Sequence, residues 1–395
     1  ELFYITGRDL YSCHNFYYNI IVVLKHTYTL TTQLNTMKKS IFITPMIGMG
    51  DVLMTTPAIR ILKKNLPDYS ITYCALNKGV VSLLKNNSDI DNVVFYDFFG
   101  FKKITELFRY IREQSFRHSH ALTFYPSNRI HYNIVSLLTG APNRIGHQYL
   151  RMNFSQGNWL KNRTIYEVDS LHCVEENVKL LSFFDITADL NSIPPMSVAL
   201  DSSETDAGVA LKKSVSGDRY CIGVHAGTSI LKGHIARRWP MEYFAETIRK
   251  IPDAHFLLFG TKEELEANQY ILDNTPKGAV TFISDKSIRE VASVIKACDV
   301  FLSNDSGLMH LAAAVGTPVL SLIGPTNPAY IRPWGVKYKV LTANVPCSPC
   351  FVYSPKSLSC SQKIKFHCLQ DLHVDTVVDA IREFMEDSAA EKDKK

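Results

Sequence analysis

The sequence lacks any apolar run that could cross a membrane. The longest such run near its start is IIVVL, residues 20–24, whereas a spanning helix needs about 20 apolar residues. The run is also too short for the core of a secretory signal peptide. Both absences favour a cytoplasmic protein.

A dense run of Lys and Arg is also absent. The net charge of +5 is mild, and charged residues make up 21% of the 395 residues while hydrophobic ones make up 46%. This composition excludes a largely disordered chain and disfavours nucleic acid as a partner. The excess positive charge suits at most an anionic surface or substrate. A chain of this length is long enough for two domains.

A complete dinucleotide-binding fingerprint is missing as well. Gly48 and Gly50 precede a helical pattern, but Leu53 stands where G-x-G-x-x-G needs its third glycine. Asp51 in this turn would repel a pyrophosphate, which argues against a nicotinamide-dependent oxidoreductase. A helix N-terminus favours an ionised carboxylate, so Asp51 could instead accept a proton from a hydroxyl group. The alternative is that Asp51 only caps the helix.

Strand-like apolar runs alternate with helical patterns along most of the chain. Between residues 37 and 205 the runs include SIFITP, SITYCAL and NVVFYDF, and the alternation resumes after residue 206 with RYCIGVHAG. A polar stretch that contains prolines, residues 189–207, is the predicted linker between the two series. Such alternation is typical of parallel sheets covered by helices. We therefore predict two doubly wound α/β domains facing each other across a cleft, residues 37–205 and 206–387.

The two ends of the chain are expected to lie outside these domains. Residues 1–36 show no clean period, and MKKSIFITP, residues 37–45, is typical of a natural start that leads into a first strand. We predict that residues 1–36 are an upstream extension, irregular or disordered. Residues 388–395 are predicted to form a solvated tail.

The segment SNDSGLMHLAAAVGTPV, residues 303–319, predicts a phosphate-binding turn. Strand-type runs flank a helix in which Leu308, Leu311 and Val315 recur at helical spacing. A strand, turn, helix and strand in one sheet form a right-handed parallel crossover, with the turn at the carboxyl end of its strand. The free N–H groups of Ser306 and Gly307 at the helix N-terminus would suit a phosphate.

Three blocks of the sequence resemble the signature blocks of the family nine glycosyltransferases, the heptosyltransferases of lipopolysaccharide assembly. They are GMGDVLMTTPAIRILKK (residues 48–64), HAGTSILKGHIARRWPMEYFAETI (225–248) and SNDSGLMHLAAAVGTPVLSLIGPTNP (303–328). The resemblance runs in the same order from Met37 to about residue 386. It implies the GT-B fold, with an N-terminal domain that binds the acceptor and a C-terminal domain that binds a nucleotide-diphosphate sugar.

The resemblance also implies an inverting transfer that requires no metal or other cofactor. In agreement, no D-x-D motif of the metal-dependent type follows a predicted strand. An acceptor hydroxyl would attack the anomeric carbon, a base would take its proton, and preorganised donors would stabilise the departing diphosphate. Asp51 matches the catalytic aspartate of the family and is the predicted base.

The third block carries the family's contacts to the diphosphate and the sugar. Carried over residue by residue, these are Asp305, Ser306, Gly307 and His310. Asp305 is expected to accept hydrogen bonds from hydroxyls, while the N–H groups of Ser306 and Gly307 face the phosphates. Without the block, His310 would be interpreted as an ordinary buried core residue.

The second block and the strand after it supply the rest of the predicted donor site. Thr228 and Ser229 would offer hydroxyls to the phosphates. Arg237 stands where the family usually has Lys, and its guanidinium would clamp a phosphate unless it is merely solvated. Glu263 or Glu264 falls at the nucleotide-ribose contact, and the spacing does not choose between them. Either acid could instead compensate a helix dipole.

Four of the nine cysteines lie close together near the C-terminal end. They are Cys347, Cys350, Cys360 and Cys368, in a Cys-rich segment that spans residues 347–368. The first pair forms a C-x-x-C, but the second does not, so the pattern of a zinc ribbon is incomplete. Buried free thiols or a structural element are favoured over a metal site. A metal bound there would be structural.

The resemblance implies transfer of a heptose from ADP-heptose to a lipopolysaccharide core or a related lipid-linked oligosaccharide. The acceptor would bring the enzyme to the cytoplasmic face of the inner membrane, as a peripheral protein. A nucleotide-sugar epimerase of the same two-domain architecture is the nearest alternative. A noncatalytic interaction module organised by the four cysteines is an alternative from another class.

Overall fold

The computed structural model describes residues 39–100, 103–228, 231–351 and 358–392. The predicted extension, residues 1–36, and the predicted donor residue Ser229 lie outside the described residues. Part of the Cys-rich segment, residues 352–357, and the last three residues of the chain also lie outside them. Within the described residues, no helix combines the length and the hydropathy that a membrane crossing needs.

The first lobe is built on a parallel six-stranded sheet in the order β3-β2-β1-β4-β5-β6. Its strands are β1 (Ser40–Ile43), β2 (Ser70–Ala75), β3 (Asn92–Phe95), β4 (His120–Leu122), β5 (Asn143–Gln148) and β6 (Arg163–Tyr166). Its helices are α1 (Met49–Leu53), α2 (Thr56–Asn65), α3 (Lys78–Leu83), α4 (Lys103–Gln114), α5 (Ile130–Leu138) and α6 (Cys173–Lys179). Ile41 of β1 pairs with Ile71 on one side and His120 on the other.

The second lobe repeats this architecture, with the strand order β12-β11-β10-β7-β8-β9. Its strands are β7 (Tyr220–His225), β8 (Ala254–Phe259), β9 (Val280–Ile283), β10 (Val300–Asn304), β11 (Val319–Leu322) and β12 (Tyr338–Leu341). Its helices are α7 (Ser202–Ser216), α8 (Met241–Arg249), α9 (Leu265–Asp273), α10 (Ile288–Ala297), α11 (Gly307–Ala314), α12 (Pro328–Ile331), α13 (His367–Gln370) and α14 (Val374–Lys392). Short 3-10 turns span Asn158–Leu160, Leu180–Phe184, Leu190–Ser192, Leu231–Arg237 and Lys262–Glu264.

The strand order of each sheet reverses at one point. In the first sheet β1 lies between β2 and β4, so the chain adds strands first on one side of β1 and then on the other. In the second sheet β7 lies between β8 and β10 in the same way. Strands β1 and β8 are buried along their whole length, as expected for parallel sheets covered on both faces. Open α/β sheets bind ligands beyond the carboxyl ends of the strands at such points of reversal. The fold therefore places one potential binding edge in each lobe, after β1 and after β10.

The two lobes meet through α1 and α11. A Cβ added at Gly50 would lie 2.5 Å from Cδ2 of His310, and one added at Gly307 would lie 3.0 Å from Cε of Met49. Real Cβ atoms do not approach so closely, so glycine at residue 50 allows the two helices to pack in this way. The segment after each binding edge is thus also the contact between the lobes.

The predicted linker, residues 189–207, is too long at its C-terminal end. Helix α7 begins at Ser202, where Asp201 and Glu204 form a reciprocal capping box. The remaining stretch is bonded to both lobes, because Ser197 N donates to Thr56 Oγ1 at 3.1 Å and Val198 N donates to the Ala314 carbonyl at 3.2 Å. The roles predicted for the two domains, acceptor binding and donor binding, stay predictions.

The first five residues of the predicted tail, residues 388–395, are helical, although Ala389 and Ala390 are exposed. Helix α14 continues to Lys392, and Ser388 Oγ donates to the Phe384 carbonyl at 2.8 Å. The Tyr220 hydroxyl lies 3.3 Å from Ser388 Oγ. These bonds hold the end of α14 against the start of β7.

Candidate active site

Two neighbouring cavities open at the contact between the lobes. The Asp51 cavity, of about 620 Å³, is lined by residues that include Asp51, Arg129, Arg237, Asp305 and His310. The Glu264 cavity, of about 970 Å³, is lined by residues that include His225, Thr228, Glu263, Glu264 and Lys286. Met49, Ser306 and Gly307 line both cavities. A ligand that extended from one cavity to the other would therefore pass over the N-terminus of α11.

Asp51 lies in the first turn of α1, just beyond the carboxyl end of β1. The cap position of α1 is Gly48, and no side chain caps this helix, so the alternative that Asp51 only caps the helix is wrong. A Cβ at Gly48 would collide with Oδ2 of Asp51, which explains why this position needs glycine. The half-buried carboxyl group faces the cavity instead.

The protonation of Asp51 differs from the sequence-based expectation. Burial raises the pKa of its carboxyl group from 3.8 to about 6, Arg237 and Arg129 act in the opposite direction, and the Asp305 carboxylate raises it further. The N-terminus of α1 does not keep this pKa low, because the helix has only five residues and desolvation of the carboxyl group is the larger effect. A carboxyl group with a pKa near 6 is well placed to act as a general base near neutral pH.

Asp305 and Arg237 form an ion pair with each other, in contrast to the separate roles predicted for them. Oδ2 of Asp305 accepts hydrogen bonds from Nη1 of Arg237 and, at 2.7 Å, from Oγ1 of Thr326. Burial opposes ionisation, but Arg237 and Thr326 hold the pKa of Asp305 below its ordinary value. The Arg237 side chain is only 13% exposed, so the alternative of a solvated arginine is wrong.

The guanidinium of Arg237 has a second partner on its own turn. Nη2 of Arg237 lies 2.6 Å from Nδ1 of His234, and its Cζ lies 5.5 Å from the ring centroid of Phe351. Its buried Nε has no hydrogen-bond partner among the described residues. Burial and the nearby Arg237 lower the pKa of His234 to about 4, so this ring is neutral at pH 7.

Ser306 caps α11, and Gly307 is the first residue of that helix. Oγ of Ser306 accepts a hydrogen bond from Met309 N at 3.4 Å and lies 3.0 Å from both Ser303 Oγ and Nδ1 of His225. The first N–H groups of an α-helix have no acceptor within the helix. The turn at Ser306 is therefore a capped helix N-terminus at the junction of the cavities, and its binding of a phosphate stays a prediction.

His310 lies one turn further along α11 and is almost fully buried. Burial lowers the pKa of its ring to about 4, although the Asp305 carboxylate acts in the opposite direction, so the ring is neutral. Its Nδ1 is buried and has no hydrogen-bond partner among the described residues. His310 lines the Asp51 cavity together with Ser306 and Gly307, as the block predicts. An unpaired ring nitrogen distinguishes it from a satisfied core histidine.

The remaining predicted donor residues lie around the Glu264 cavity. Thr228 is buried, and its Oγ1 donates to the His234 carbonyl at 2.8 Å, so this hydroxyl already fixes the loop that carries Arg237. Glu264 is buried and accepts from Thr261 N at 2.9 Å, while its Oε1 lies 3.2 Å from Nε2 of His225. Glu263 is exposed at the cavity wall. Both acids line the cavity, but Glu263 is the more exposed one and Glu264 already has partners within the protein.

Several residues of the site escaped sequence-based prediction. Arg129 follows β4, the strand beside β1, and lines the Asp51 cavity, and its guanidinium forms no hydrogen bond or ion pair with any residue that the structure describes. Arg238 donates to the Thr228 carbonyl at 2.8 Å, and Asn304 Oδ1 accepts from Trp239 N at 2.9 Å. Arg238 and Asn304 lie inside the quoted blocks. Arg129 lies outside them, and only its place after a strand next to the reversal point could have indicated it.

The four clustered cysteines do not belong to these cavities. Cys347, Cys350, Cys360 and Cys368 are free thiols, and Cys347 Sγ lies 3.3 Å from Nε2 of His367. Within the described residues, no three His, Cys, Asp or Glu side chains are grouped so as to hold a metal ion. The chain's one Asp-x-Asp triplet, residues 89–91, precedes β3, and its acids pair with Arg60 and Lys63. The favoured prediction of buried free thiols holds for Cys368 and is wrong in burial for the other three, since Cys350 is exposed and Cys347 and Cys360 are half-buried.

Two doubly wound lobes with facing cavities define the GT-B fold, and a solved structure has the same fold. The structure of ADP-heptose lps heptosyltransferase II from E. coli matches with a TM-score of 0.68 at 20% sequence identity. The match covers 89% of this chain and 99% of that chain. The predicted fold class is therefore confirmed.

The family model of glycosyltransferase family 9 (heptosyltransferase) matches residues 114–360, and the chain belongs to this family. It is 33% identical over 134 residues to lipopolysaccharide heptosyltransferase 2 of Escherichia coli (strain K12), which covers 32% of this chain and 38% of that protein. It is 26% identical over 302 residues to lipopolysaccharide heptosyltransferase 3 of the same strain, covering 72% of this chain and 82% of that protein. The first match thus spans less than half of that relative. The chain thus belongs to a family of glycosyltransferases, and the predicted resemblance is confirmed.

Proposed function

We propose that this enzyme transfers a heptose from ADP-heptose to a lipopolysaccharide core or a related lipid-linked oligosaccharide, with inversion and without a metal ion. The observation that carries the proposal is that the Asp51 carboxyl group and the capped N-terminus of α11 face the same cavity. One group can take a proton and the other can hold an anion. The names of the matched heptosyltransferases supply the proposed sugar and acceptor.

The proposed donor site follows the N-terminus of α11 from one cavity into the other. The diphosphate would lie over Ser306 and Gly307, where helix N–H groups are unpaired, and the nucleoside would extend into the Glu264 cavity towards Glu263. Arg237 lies beside this helix end, and its unpaired Nε is available to a phosphate oxygen. The sugar would then project towards Asp51 and His310.

Asp51 is the proposed base in the chemical step. The acceptor oxygen forms a bond to the anomeric carbon while the bond from that carbon to the diphosphate oxygen breaks on the opposite face, which inverts the centre. The acceptor hydroxyl proton passes to the Asp51 carboxylate. The charge that develops on the diphosphate is stabilised by the α11 N-terminus and Arg237.

The positive charge that the leaving group needs is proposed to come from the protein. Arg129 and Arg237 line the Asp51 cavity, and their effect on the Asp51 pKa indicates that both charges act there. Guanidinium groups bind phosphate oxygens in a bidentate manner and remain charged at any working pH. No cofactor beyond the nucleotide-sugar donor is proposed. A lipid-anchored acceptor would place the enzyme at the cytoplasmic face of the inner membrane.

Titration calorimetry of the purified chain against ADP, UDP, GDP and CMP tests the donor site. Each titration is run without and with magnesium. We expect selective binding of ADP that magnesium does not change. Preference for another nucleotide would contradict ADP-heptose as the donor while leaving the family unchanged. If none of the four nucleotides bound, the assignment of the α11 N-terminus to a diphosphate would be wrong.

A further inference from the structure

One stretch of the first lobe is free of acidic residues. Between Glu113 and Glu167 the chain contains no Asp or Glu. The same stretch contains six basic residues, which are Arg117, Arg129, Arg144, Arg151, Lys161 and Arg163. The whole chain has 43 basic and 38 acidic residues, so this imbalance is local. Lys161 is buried, so the five arginines are the residues of this set that reach the surface, where they attract anionic partners.

The same stretch exposes large apolar side chains. The residues are Ile130, Leu150, Met152, Phe154 and Trp159, which we call the apolar lip. Phe154 is 82% exposed and Trp159 is 62% exposed, and their ring centroids lie 6.5 Å apart. A Cβ at Gly157 would collide with Ile130, so Ile130 packs against the same loop. Clustered exposed apolar residues are a mark of an interaction surface.

The loop that carries the apolar lip is held by buried hydrogen bonds. Asn158 Nδ2 donates to Asn128 Oδ1 at 2.7 Å, and Asn133 Nδ2 donates to the Gln156 carbonyl at 2.7 Å. The buried Lys161 also hydrogen-bonds Asn158 Oδ1. Because the backbone on both sides of the lip is fixed, the exposure of Phe154 and Trp159 is a feature of the fold.

The lip lies next to the acceptor side of the proposed active site. Asn128 and Arg129 line the Asp51 cavity, and Asn128 Nδ2 donates to the Arg151 carbonyl at 3.0 Å. Ile130, the first residue of α5, follows Arg129 directly. One loop therefore carries both a cationic wall of the cavity and part of the lip, and the exposed Arg151 lies between Leu150 and Met152.

We propose that the apolar lip docks on an anionic lipid bilayer, with Phe154 and Trp159 at the level of the headgroups and Arg151 beside lipid phosphates. Aromatic side chains favour this interfacial region, and basic residues add attraction to anionic lipids. The proposal deepens the proposed function, because docking there would bring a lipid-anchored acceptor to the Asp51 cavity. The charge of the stretch favours a lipid surface over a second copy of this chain, which carries a net positive charge of +5.

Vesicle flotation of the full chain tests this proposal. The vesicles contain phosphatidylcholine alone or a mixture with phosphatidylglycerol. We expect binding to the anionic vesicles that high salt weakens. Replacing Phe154→Ser and Trp159→Ser together should weaken binding about tenfold, since two large apolar groups no longer enter the interface. The matched control is Tyr338→Ser with Ile364→Ser, a pair exposed in the second lobe, which should bind like the unchanged chain.

Arg151→Gln tests the charge, with the exposed Arg382→Gln of α14 as its control. Only Arg151→Gln should weaken binding. Trp159 is the most exposed of the three tryptophans, so its emission should shift to shorter wavelength on binding.

Three results would overturn the docking proposal. The first is that the chain does not bind anionic vesicles. The second is that the Phe154 and Trp159 double variant binds them as well as the unchanged chain does. The third is that sedimentation shows a dimer of this chain in which the apolar lip is buried. Thermal unfolding of each variant verifies that it is folded. ADP titration of the same samples separates the two proposals. ADP binding without vesicle binding would contradict only the docking of the apolar lip, and vesicle binding without ADP binding would contradict only the proposed donor site.

Discussion

At the scale of single residues, Asp51 is the group whose environment matters most for the chemistry. Its pKa of about 6 means that the carboxylate form, which can accept a proton, falls away below that pH. We therefore expect kcat/KM to rise about tenfold per pH unit below pH 6 and to level off above it. Asp51→Asn should lower kcat about 10³-fold and remove this pH dependence.

The control for this prediction is the affinity for ADP. Asp51→Asn keeps the size of the side chain, so calorimetry should give an ADP affinity within about twofold of the original chain. Retained turnover in the variant would show that another group takes the proton. A loss of ADP affinity would instead assign Asp51 to the donor site.

The same substitution should change stability in a pH-dependent way. The folded-state pKa of Asp51, about 6, exceeds its ordinary 3.8, so the carboxyl group favours folding at low pH and this contribution is lost as the pH rises through 6. Asp51→Asn avoids that loss. Urea unfolding should show equal stability near pH 4 and a gain of about 1–2 kcal/mol for the variant at pH 8, after allowance for partial exposure. A gain that did not depend on pH would contradict this origin.

The sequence indicates some of these residues better than others. Asp51 and His310 could be placed because each lies within a block whose order along the chain matches the family. The ion pair between Asp305 and Arg237 could not, since the two residues are 68 positions apart and nothing local brings them together. Glu263 and Glu264 are adjacent, and only the capping bond from Thr261 to Glu264 separates the buried acid from the exposed one.

At the scale of elements, the capped N-terminus of α11 is the feature on which the proposed donor binding depends. Ser306→Ala removes the oxygen that accepts from Met309 N and that contacts His225. We expect a loss of about 1 kcal/mol of unfolding free energy, and ADP binding about tenfold weaker because the helix end is less well ordered. Urea unfolding and calorimetry measure the two effects.

Ser287→Ala is the matched control, because Ser287 caps α10 in the same way, with its side chain accepting from Glu290 N. It should cost a similar free energy of unfolding and leave ADP affinity unchanged. If both variants weakened ADP binding equally, the effect would reflect general destabilisation, and α11 would have no special role.

Most of the elements could be predicted from periodicity. The segment TPAIRILKKN forms α2, since Ala58, Ile59 and Leu62 face the core at helical spacing. The linker was predicted too long because its polar composition is typical of a loop. The Asp201 and Glu204 pair, a capping box that starts α7, could have indicated the helix. The end of α14 was missed for a similar reason, since charge does not end a helix that packs through its other face.

At the scale of the whole molecule, the two sheets have the same strand order and place their reversal points opposite each other. Each lobe contributes what its own reversal point offers, a carboxyl group after β1 and an anion-binding helix end after β10. Neither lobe holds both groups, so the proposed reaction requires the lobes to keep their relative position. The sequence predicts two such domains, but the contacts that fix them are long-range and could not be derived from local patterns.

Arg289 of α10 is the residue that best tests this dependence. Its buried guanidinium donates to the Ser82 and Lys85 carbonyls of the first lobe at 3.1 and 3.3 Å and to the Ala199 carbonyl at 2.7 Å, and it pairs with Glu204. Arg289→Met would remove all of these part-buried contacts at once. We expect a loss of about 3 kcal/mol of unfolding free energy, together with a lower kcat as the lobes lose their alignment.

Lys296→Met is the control on the same helix, because Lys296 is exposed, lines neither cavity, and has no recorded contact with the first lobe among the described residues. Exposed side chains without such contacts contribute little, so its unfolding free energy should change by less than about 1 kcal/mol and its kcat should stay the same. Urea unfolding and steady-state kinetics on both variants check the difference. If Arg289→Met unfolded and turned over like Lys296→Met, the alignment of the lobes would have to rest on other contacts, such as those of α1 with α11 and of His172 with the Arg332 carbonyl.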